Sequence, residues 1–423
     1  MDTERMSTQE TFVIVGAGMA GAKAAEALRA EGFLGRIVLI GEEPERPYER
    51  PPLSKGFLQG TVEREKIFVH SKSWYTKNKI ELRSSTKATG IDTSAHRVDC
   101  ARGGSVYYDK LLLTTGASPR PLTISGSDRH RVYYLRRIED SQQLKFALSV
   151  SSRVAIIGAG WIGLEVAAAA RDAGLDVTLL ERGEIPLQHI LGAEVAGIFA
   201  TLHTDHGVDL RCNTQVRRIT GDNPRQGTGV ELSDGTVIDA DLIVAGIGAV
   251  PNTALAQAAG LELENGIKVN EHLCTSDPDI YAAGDVANAF HPLLGLHIRS
   301  EHWFNALSQP AVAARSMLGQ NAEYSEVPYF FTDQFGLSME YCGYVAPAGY
   351  EEVLFRGDKE TLEFMVFWLK EHRVIAGMNV NIWDQTEHIK ALIRSALPVD
   401  TEQLANIDVS LETILMNAQA STK

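Results

Sequence analysis

Apolar residues in this chain gather in short unbroken runs that end in glycine turns, the pattern of strands covered on both faces of a sheet. Phe12-Val13-Ile14-Val15 is the first run. It meets Gly16-Ala17-Gly18-Met19-Ala20-Gly21, and residues 22–29 continue in helix formers. Residues 36–40 form a second apolar run, with Glu42 just past its end. The predicted order is strand, glycine turn, helix, strand, acid. It returns at residues 153–157, Gly158-Ala159-Gly160-Trp161-Ile162-Gly163, 164–173 and 177–180, and Glu181 closes it.

Each part of that order has a physical role. Gly16 permits the tight turn, Gly18 lets backbone approach a pyrophosphate, and Gly21 lets helix and strand pack closely. The helix N-terminus offers unpaired N–H groups and the positive end of its dipole to phosphate. Glu42, about 21 residues beyond Gly21, stands where such a unit binds a ribose diol. The predicted ligand is a dinucleotide. Two such units mean two dinucleotides, or one ancestral unit used twice.

Proline and glycine punctuate the rest. Pro44, Pro47, Pro51 and Pro52 make a stiff, irregular segment, and Leu53-Ser54-Lys55-Gly56-Phe57-Leu58 reads as a capped helix start carrying a cation. Residues 66–79 read as a helical excursion, and 80–88, 90–98 and 105–108 as an antiparallel meander. Residues 205–218 and 228–237 supply further strands, with a hairpin at Ser233-Asp234-Gly235-Thr236. Residues 110–120 and 242–252 are strands running into glycine, each read as an exit from one domain into the other. The apolar run at 280–283 puts Gly284-Asp285 at the carboxyl end of a buried strand, where α/β sheets bind ligands. From residue 324, five runs spaced like antiparallel strands precede helical patterns at 386–394 and 401–405. A loose polar tail is expected after Leu415. The fold class is therefore α/β, with two Rossmann-like dinucleotide-binding domains and a C-terminal α+β domain. The first domain takes residues 1–118 and 247–323, the second 119–246 and the third 324–423.

Composition narrows function more than fold. At 423 residues, 44% hydrophobic and 22% charged, the chain has ample core for two or three domains. A net charge of −14 opposes a general nucleic-acid or anionic-membrane binder. No apolar run nears the roughly 18 residues of a membrane helix. Residues 1–10 are polar and lack a signal-peptide core, which points to the cytoplasm. Met6 is an alternative start within a tail expected to be disordered. Cys100, Cys212, Cys274 and Cys342 form no C-x-x-C pair, so no disulfide, dithiol or metal site is expected. Electrons would have to move through bound cofactors.

Three further positions carry two readings each. Lys55 is a solvated cation, or a charge held against an electron-rich ring. Asp285 caps a helix, or accepts a hydrogen bond from a ribityl hydroxyl. Trp303 is core, or a ring stacked near a flavin.

These residues together resemble the NADH-dependent ferredoxin reductases that serve bacterial oxygenases, of the putidaredoxin reductase, rhodocoxin reductase and biphenyl dioxygenase ferredoxin reductase type. The resemblance covers nearly the full length. It rests on the two fingerprints, Pro51-Pro52-Leu53-Ser54-Lys55, Thr115-Gly116-Ala117-Ser118-Pro119-Arg120, Tyr134-Leu135-Arg136, Gly246-Ile247-Gly248, Ile280-Tyr281-Ala282-Ala283-Gly284-Asp285-Val286 and the third domain. Pro-Pro-Leu-Ser-Lys is the most specific, because disulfide reductases of the same fold carry a redox cysteine there.

The resemblance implies a glutathione-reductase-like fold, with FAD on the first fingerprint and NADH on the second. Electrons would pass from NADH through FAD to a [2Fe–2S] ferredoxin that feeds a cytochrome P450 or a Rieske dioxygenase. Gly16, Gly18, Ala20, Gly21 and Glu42 would hold the pyrophosphate and ribose of FAD, and Ala88 and Arg136 would lie along it. Asp285 would bind the ribityl chain, with Lys55 and Trp303 by the ring. Gly158, Gly160, Ile162, Gly163 and Gly246 would cradle NADH, Glu165 would meet its carboxamide and Glu181 its adenosine ribose. NADH is expected over NADPH, because Glu181 would repel a 2′-phosphate, with Arg182 softening the preference. One departure is Glu301-His302-Trp303-Phe304-Asn305-Ala306. Putidaredoxin reductase has an aliphatic residue at the Trp303 position, and the biphenyl-dioxygenase reductase and apoptosis-inducing-factor-like relatives are closer. Partner type stays open for that reason. A reductase of small molecules shares these cofactors, an apoptosis-inducing-factor-like interaction protein is opposed by the net charge, and a disulfide reductase by the cysteine positions. Docking of an acidic ferredoxin would need a local basic patch, for which Arg315, Lys359, Lys370, Arg373, Lys390 and Arg394 are candidates.

Overall fold

A computed structural model of the chain describes residues 10–129, 131–221, 228–346 and 349–421. Met6 and the rest of the expected disordered tail up to residue 9 lie outside the described residues. The chain forms two compact units, each assembled from separated stretches. One takes residues 1–49, 64–118 and 250–326, the other 50–63, 119–249 and 327–423.

The first unit is built on a five-stranded parallel sheet in the order Ile280–Ala282, Lys110–Leu113, Thr11–Val15, Arg36–Ile40, Ile80–Arg83. The apolar runs explain the order of burial: Val13, Ile14, Val38 and Leu39 are fully covered. Each such side chain contributes about 1.5–3 kcal/mol. Strand order reverses at Thr11–Val15, which opens a crevice at its carboxyl end, where the first glycine turn stands. Helix Met19–Ala30 buries Ala22, Ala24, Ala25 and Leu28 and packs on helix Trp303–Met317.

The meander of this unit is smaller than the pattern predicts. It consists of Ala88–Asp92, Arg97–Cys100 and Val106–Tyr107, whereas Ile80–Arg83 is the parallel edge strand, paired with Arg36–Ile40. Four residues of mixed polarity suit either place, and only the distant partner decides between them.

The second unit repeats the plan. Its parallel sheet runs Asp209–Arg211, Asp176–Leu180, Arg153–Ile157, Leu242–Ala245, Val132–Tyr133, and an antiparallel sheet of Val216–Thr220, Thr228–Leu232 and Val237–Ala240 accompanies it. Four strands match the first unit in chain order, as a single ancestral unit used twice would produce; the edge strand differs, because Val132–Tyr133 precedes the other four in the chain whereas Ile280–Ala282 follows its own. The same unit holds a five-stranded antiparallel sheet in the order Tyr329–Gln334, Leu337–Gly343, Arg373–Val380, Glu363–Lys370, Glu352–Asp358. One core joins this sheet to helix Trp161–Asp172 through Trp161, Phe330, Tyr341 and Trp368.

Helices Thr386–Ser395 and Thr401–Ala405 follow as predicted. The expected loose tail does not: Leu411–Ala420 is a helix, capped by Ser410, whose hydroxyl accepts from Thr413 N. Leu411, Ile414 and Ala418 share one face and pack with Ile389 and Leu392. Their helical spacing outweighs the polar composition around them. Among the described residues no helix is long and apolar enough to cross a membrane.

Candidate functional site

In the first unit, the backbone forces the glycines of the first turn. Gly16 has φ +119°, and a Cβ there would stand 2.1 Å from the carbonyl oxygen of Thr114. A Cβ on Gly21 would stand 2.1 Å from Gly16 O and 3.0 Å from Leu39, so this glycine sets how closely helix and strand approach. Gly18 differs. It is the N-cap of helix Met19–Ala30, no side chain caps that helix, no acid stands in its first turn, and a Cβ on Gly18 would meet nothing within 4 Å. The turn therefore leaves open space at the helix N-terminus, where the first backbone N–H groups have no partner within the helix.

The other first-unit candidates fall as follows. Ala20 is buried, and a Cβ on Gly284 would stand 3.1 Å from the Ala20 side chain, so Gly284-Asp285 lies beside the glycine turn. Asp285 is buried. Burial pushes the neighbouring His302 down to about 4, against the pull of the Asp285 charge. Trp303 opens helix Trp303–Met317, and burial pushes the Glu49 carboxyl up against the pull of the Lys23 charge. Gly41 packs on Ala17, and Glu42 follows it, its carboxylate half-exposed and 3.6 Å from Lys87 Nζ. Ala88 is the buried first residue of Ala88–Asp92.

The second turn has the same division. Gly158 has φ +98°, and a Cβ there would stand 2.5 Å from Gly246 O. A Cβ on Gly163 would stand 2.0 Å from Gly158 O. Gly246 backs both, its own Cβ position 3.5 Å from Gly163 N. Gly160 is the uncapped N-cap of helix Trp161–Asp172 and faces open space. Ile162, in the first turn of that helix, is 43% exposed, an apolar side chain left uncovered next to the open space. The Glu181 carboxylate accepts from Ala159 N at 2.8 Å and from Gly183 N at 2.7 Å, which holds it against the turn.

Glu165 lies one turn into the same helix and is buried. Its Oε1 accepts from Lys55 Nζ at 2.6 Å and from Thr332 Oγ1 at 2.7 Å, and its Oε2 accepts from Ser54. Lys55 follows the 3₁₀ turn Pro51–Ser54, whose prolines fix the chain where the ammonium meets Glu165. An ion pair this deep adds little net stability, because desolvation offsets the attraction. Its three donors satisfy the carboxylate all the same. Arg136 accepts from Arg50 at its carbonyl and donates its backbone N–H to Asp140 at 3.0 Å. Lys55 and Arg136 belong to the second unit, unlike the other residues the resemblance assigns to FAD. Ser54 belongs to the Pro51–Lys55 motif without a role of its own in the sequence reading, and Thr332 stands outside every motif. Thr332 and Gln334 are polar residues two apart on the buried face of a strand, and that was the available signal.

The family pattern described as pyridine nucleotide-disulphide oxidoreductase matches residues 10–310, and the reductase C-terminal pattern matches residues 329–415. Putidaredoxin reductase of Pseudomonas putida is 36% identical over 419 residues, 98% of this chain and 99% of that protein. The ferredoxin–NAD(+) reductase component of the anthranilate 1,2-dioxygenase system of Burkholderia cepacia is 40% identical over 410 residues, 96% of this chain and 99% of that protein. This chain belongs to the ferredoxin reductase family of bacterial oxygenase systems.

The crystal structure of the covalent putidaredoxin reductase–putidaredoxin complex matches with a TM-score of 0.93 at 36% identity, covering 97% of this chain and 99% of that one. As a ferredoxin reductase by family, the protein is an oxidoreductase, and the α/β fold with a C-terminal reductase domain is the family's. The disulphide in the broader family name finds no counterpart in its cysteines. All four are free thiols. Burial pushes each thiol up, Cys342 to about 12. Among the described residues no group of three or more His, Cys, Asp or Glu is arranged to hold a metal ion.

Proposed function

We propose that this reductase is an FAD-dependent NADH:ferredoxin oxidoreductase whose acceptor is a [2Fe–2S] ferredoxin feeding a cytochrome P450 or a Rieske dioxygenase. The observation that carries the reading is the pair of glycine cradles, Gly18 and Gly160, each open at the N-terminus of an uncapped helix. The family implies FAD and NAD(P)H, and these two spaces fit two pyrophosphates. Residues 1–118 and 247–323 would form the FAD-binding domain, 119–246 the NADH-binding domain and 324–423 the C-terminal domain.

Gly16, Gly18, Ala20, Gly21, Glu42, Ala88, Arg136, Asp285 and Trp303 would hold FAD. Gly158, Gly160, Ile162, Gly163, Glu181 and Gly246 would hold NADH. Bound FAD supplies the chemistry that takes a hydride and releases single electrons. Lys55 would supply a fixed positive charge to a bound flavin, and Glu165 would orient that ammonium while offering an acceptor to the nicotinamide carboxamide. Ser54 and Thr332 keep the Glu165 carboxylate in place.

The test is anaerobic mixing of the purified yellow protein, loaded with about one FAD per chain, with NADH and then with a [2Fe–2S] ferredoxin, a rubredoxin or a small quinone. Fast ferredoxin reduction supports the proposal. Slow ferredoxin reduction beside fast quinone reduction would move it to the class of small-molecule reductases.

A further inference from the structure

A chain of hydrogen bonds leads from the Lys55–Glu165 pair into the core of the second unit, and its direction is set at one end. Glu165, paired with Lys55, presents carboxylate oxygens that can only accept. Thr332, 1% exposed, must therefore donate its hydroxyl proton to Glu165 Oε1, at 2.7 Å. Its oxygen is then left to accept, and Gln334 Nε2 donates to it at 3.0 Å. That turns Gln334 Oε1 toward His203 Nε2, 2.8 Å away, so His203 carries its proton on Nε2. Gln334 and His203 are 2% and 0% exposed, and burial holds the imidazole below its ordinary value. His203 stands edge-on to the Phe335 ring, 5.1 Å between centroids, and the apolar core of the same unit includes Phe199, Leu337, Met339 and Phe364. Three polar side chains there do less for stability than apolar ones of the same shape would. What they do provide is a fixed orientation at the far end of the chain.

We propose that Thr332, Gln334 and His203 are positioning residues that lock the Glu165 carboxylate against Lys55, so that the C-terminal sheet helps set the geometry of the reductase site. This rests on the reading of Lys55 and Glu165 as site residues. Removing the Thr332 hydroxyl leaves Glu165 Oε1 with one donor instead of two and frees the carboxylate to turn.

The experiment compares FAD-loaded wild type with Thr332→Val, Thr332→Ser, Gln334→Met and Glu165→Gln. Rapid mixing with NADH separates the limiting rate of flavin reduction from the half-saturating concentration. Calorimetric titration of the oxidised protein with NAD+ adds a readout free of turnover. Thr332→Val is expected to lower the limiting rate about tenfold, the order of one hydrogen bond to a charged group, and Thr332→Ser to stay within about twofold of wild type. Gln334→Met falls between them. NAD+ binding weakens in the same order. A Thr332→Val protein with wild-type rate and NAD+ affinity, beside a slow Glu165→Gln protein, overturns the positioning role. So does a Thr332→Ser protein as slow as Thr332→Val, since packing alone would then explain both. A Glu165→Gln protein at wild-type rate overturns the underlying site reading instead. If Thr332→Val is not recovered folded, Gln334→Met and His203→Phe decide by the same measures, and wild-type behaviour in both overturns the proposal.

Discussion

Gly160 and Gly163 stand three residues apart and meet opposite surroundings. A methyl group on Gly163 would collide with backbone, 2.0 Å from Gly158 O, while one on Gly160 would meet nothing within 4 Å. Gly163→Ala should therefore lower stability by about 1–3 kcal/mol, as overpacking does. Gly160→Ala should melt like wild type and lose NAD+ binding, because its methyl takes the space of the ligand. Melting curves and NAD+ titration of both variants check this, and equal loss of stability would contradict it. Glu181 sits where two backbone N–H groups pin its carboxylate. Catalytic efficiency with NADH should exceed that with NADPH by about tenfold or more, and Glu181→Ala should narrow the ratio. Equal efficiencies in the wild type would refute the assignment. These positions were legible from sequence because a glycine turn and the acid after the next strand are constrained within one local unit.

Helix Thr386–Ser395 is held to its sheet at Glu340. That carboxylate accepts from Tyr329 at 2.7 Å, Asn379 at 3.0 Å and Thr386 at 2.7 Å. Burial pushes its pKa up, but the bonds from Asn379, Tyr329 and Thr386 and the Lys390 charge outweigh it, and the carboxyl ends below its usual range. A folded value below the unfolded one stabilises the protein above the unfolded value, and that part is lost as pH falls through the folded value. Glu340→Gln should cost about 1–3 kcal/mol near neutral pH, the range for losing hydrogen bonds to a charged group. The gap to wild type should shrink as the solution is acidified below about pH 4. Urea midpoints across that range test it, and a gap independent of pH would rule it out. The five strands of this sheet were legible in spacing alone. Helix Leu411–Ala420 was not, because Leu411, Ile414 and Ala418 are few among polar neighbours.

Across the whole molecule the net charge is −14, and an acidic partner would be repelled at long range. Four of the six basic residues considered for docking already stand beside carboxylates, and Arg315 and Lys370 alone make no patch. Lys390 is buried and pairs with Glu387 at 2.7 Å, Arg394 lies 3.9 Å from the same carboxylate, Lys359 lies 3.5 Å from Glu194, and Arg373 lies 3.3 Å from Glu371. Paired charges give little net field, so the steep loss of partner reduction with salt that a basic patch would cause is not expected. The rate of ferredoxin reduction should be flat or rise as ionic strength increases, while hydride transfer from NADH to flavin stays constant. A rate falling steeply with salt would restore the patch.

Sequence by itself determined the two glycine turns, the parallel strands around them and the α/β class. Glycine conformation, apolar runs and helix starts act over a few residues and leave a local mark. Only the tertiary structure decided which polar side chains meet. Ser54, Lys55 and Thr332 converge on Glu165 from 111, 110 and 167 residues away. No periodicity records such a meeting, because it depends on how the turn Pro51–Ser54, helix Trp161–Asp172 and strand Tyr329–Gln334 pack. The edge strand Ile80–Arg83 went astray for the same reason: its short pattern suits either sheet, and its pairing with Arg36–Ile40 is a long-range contact.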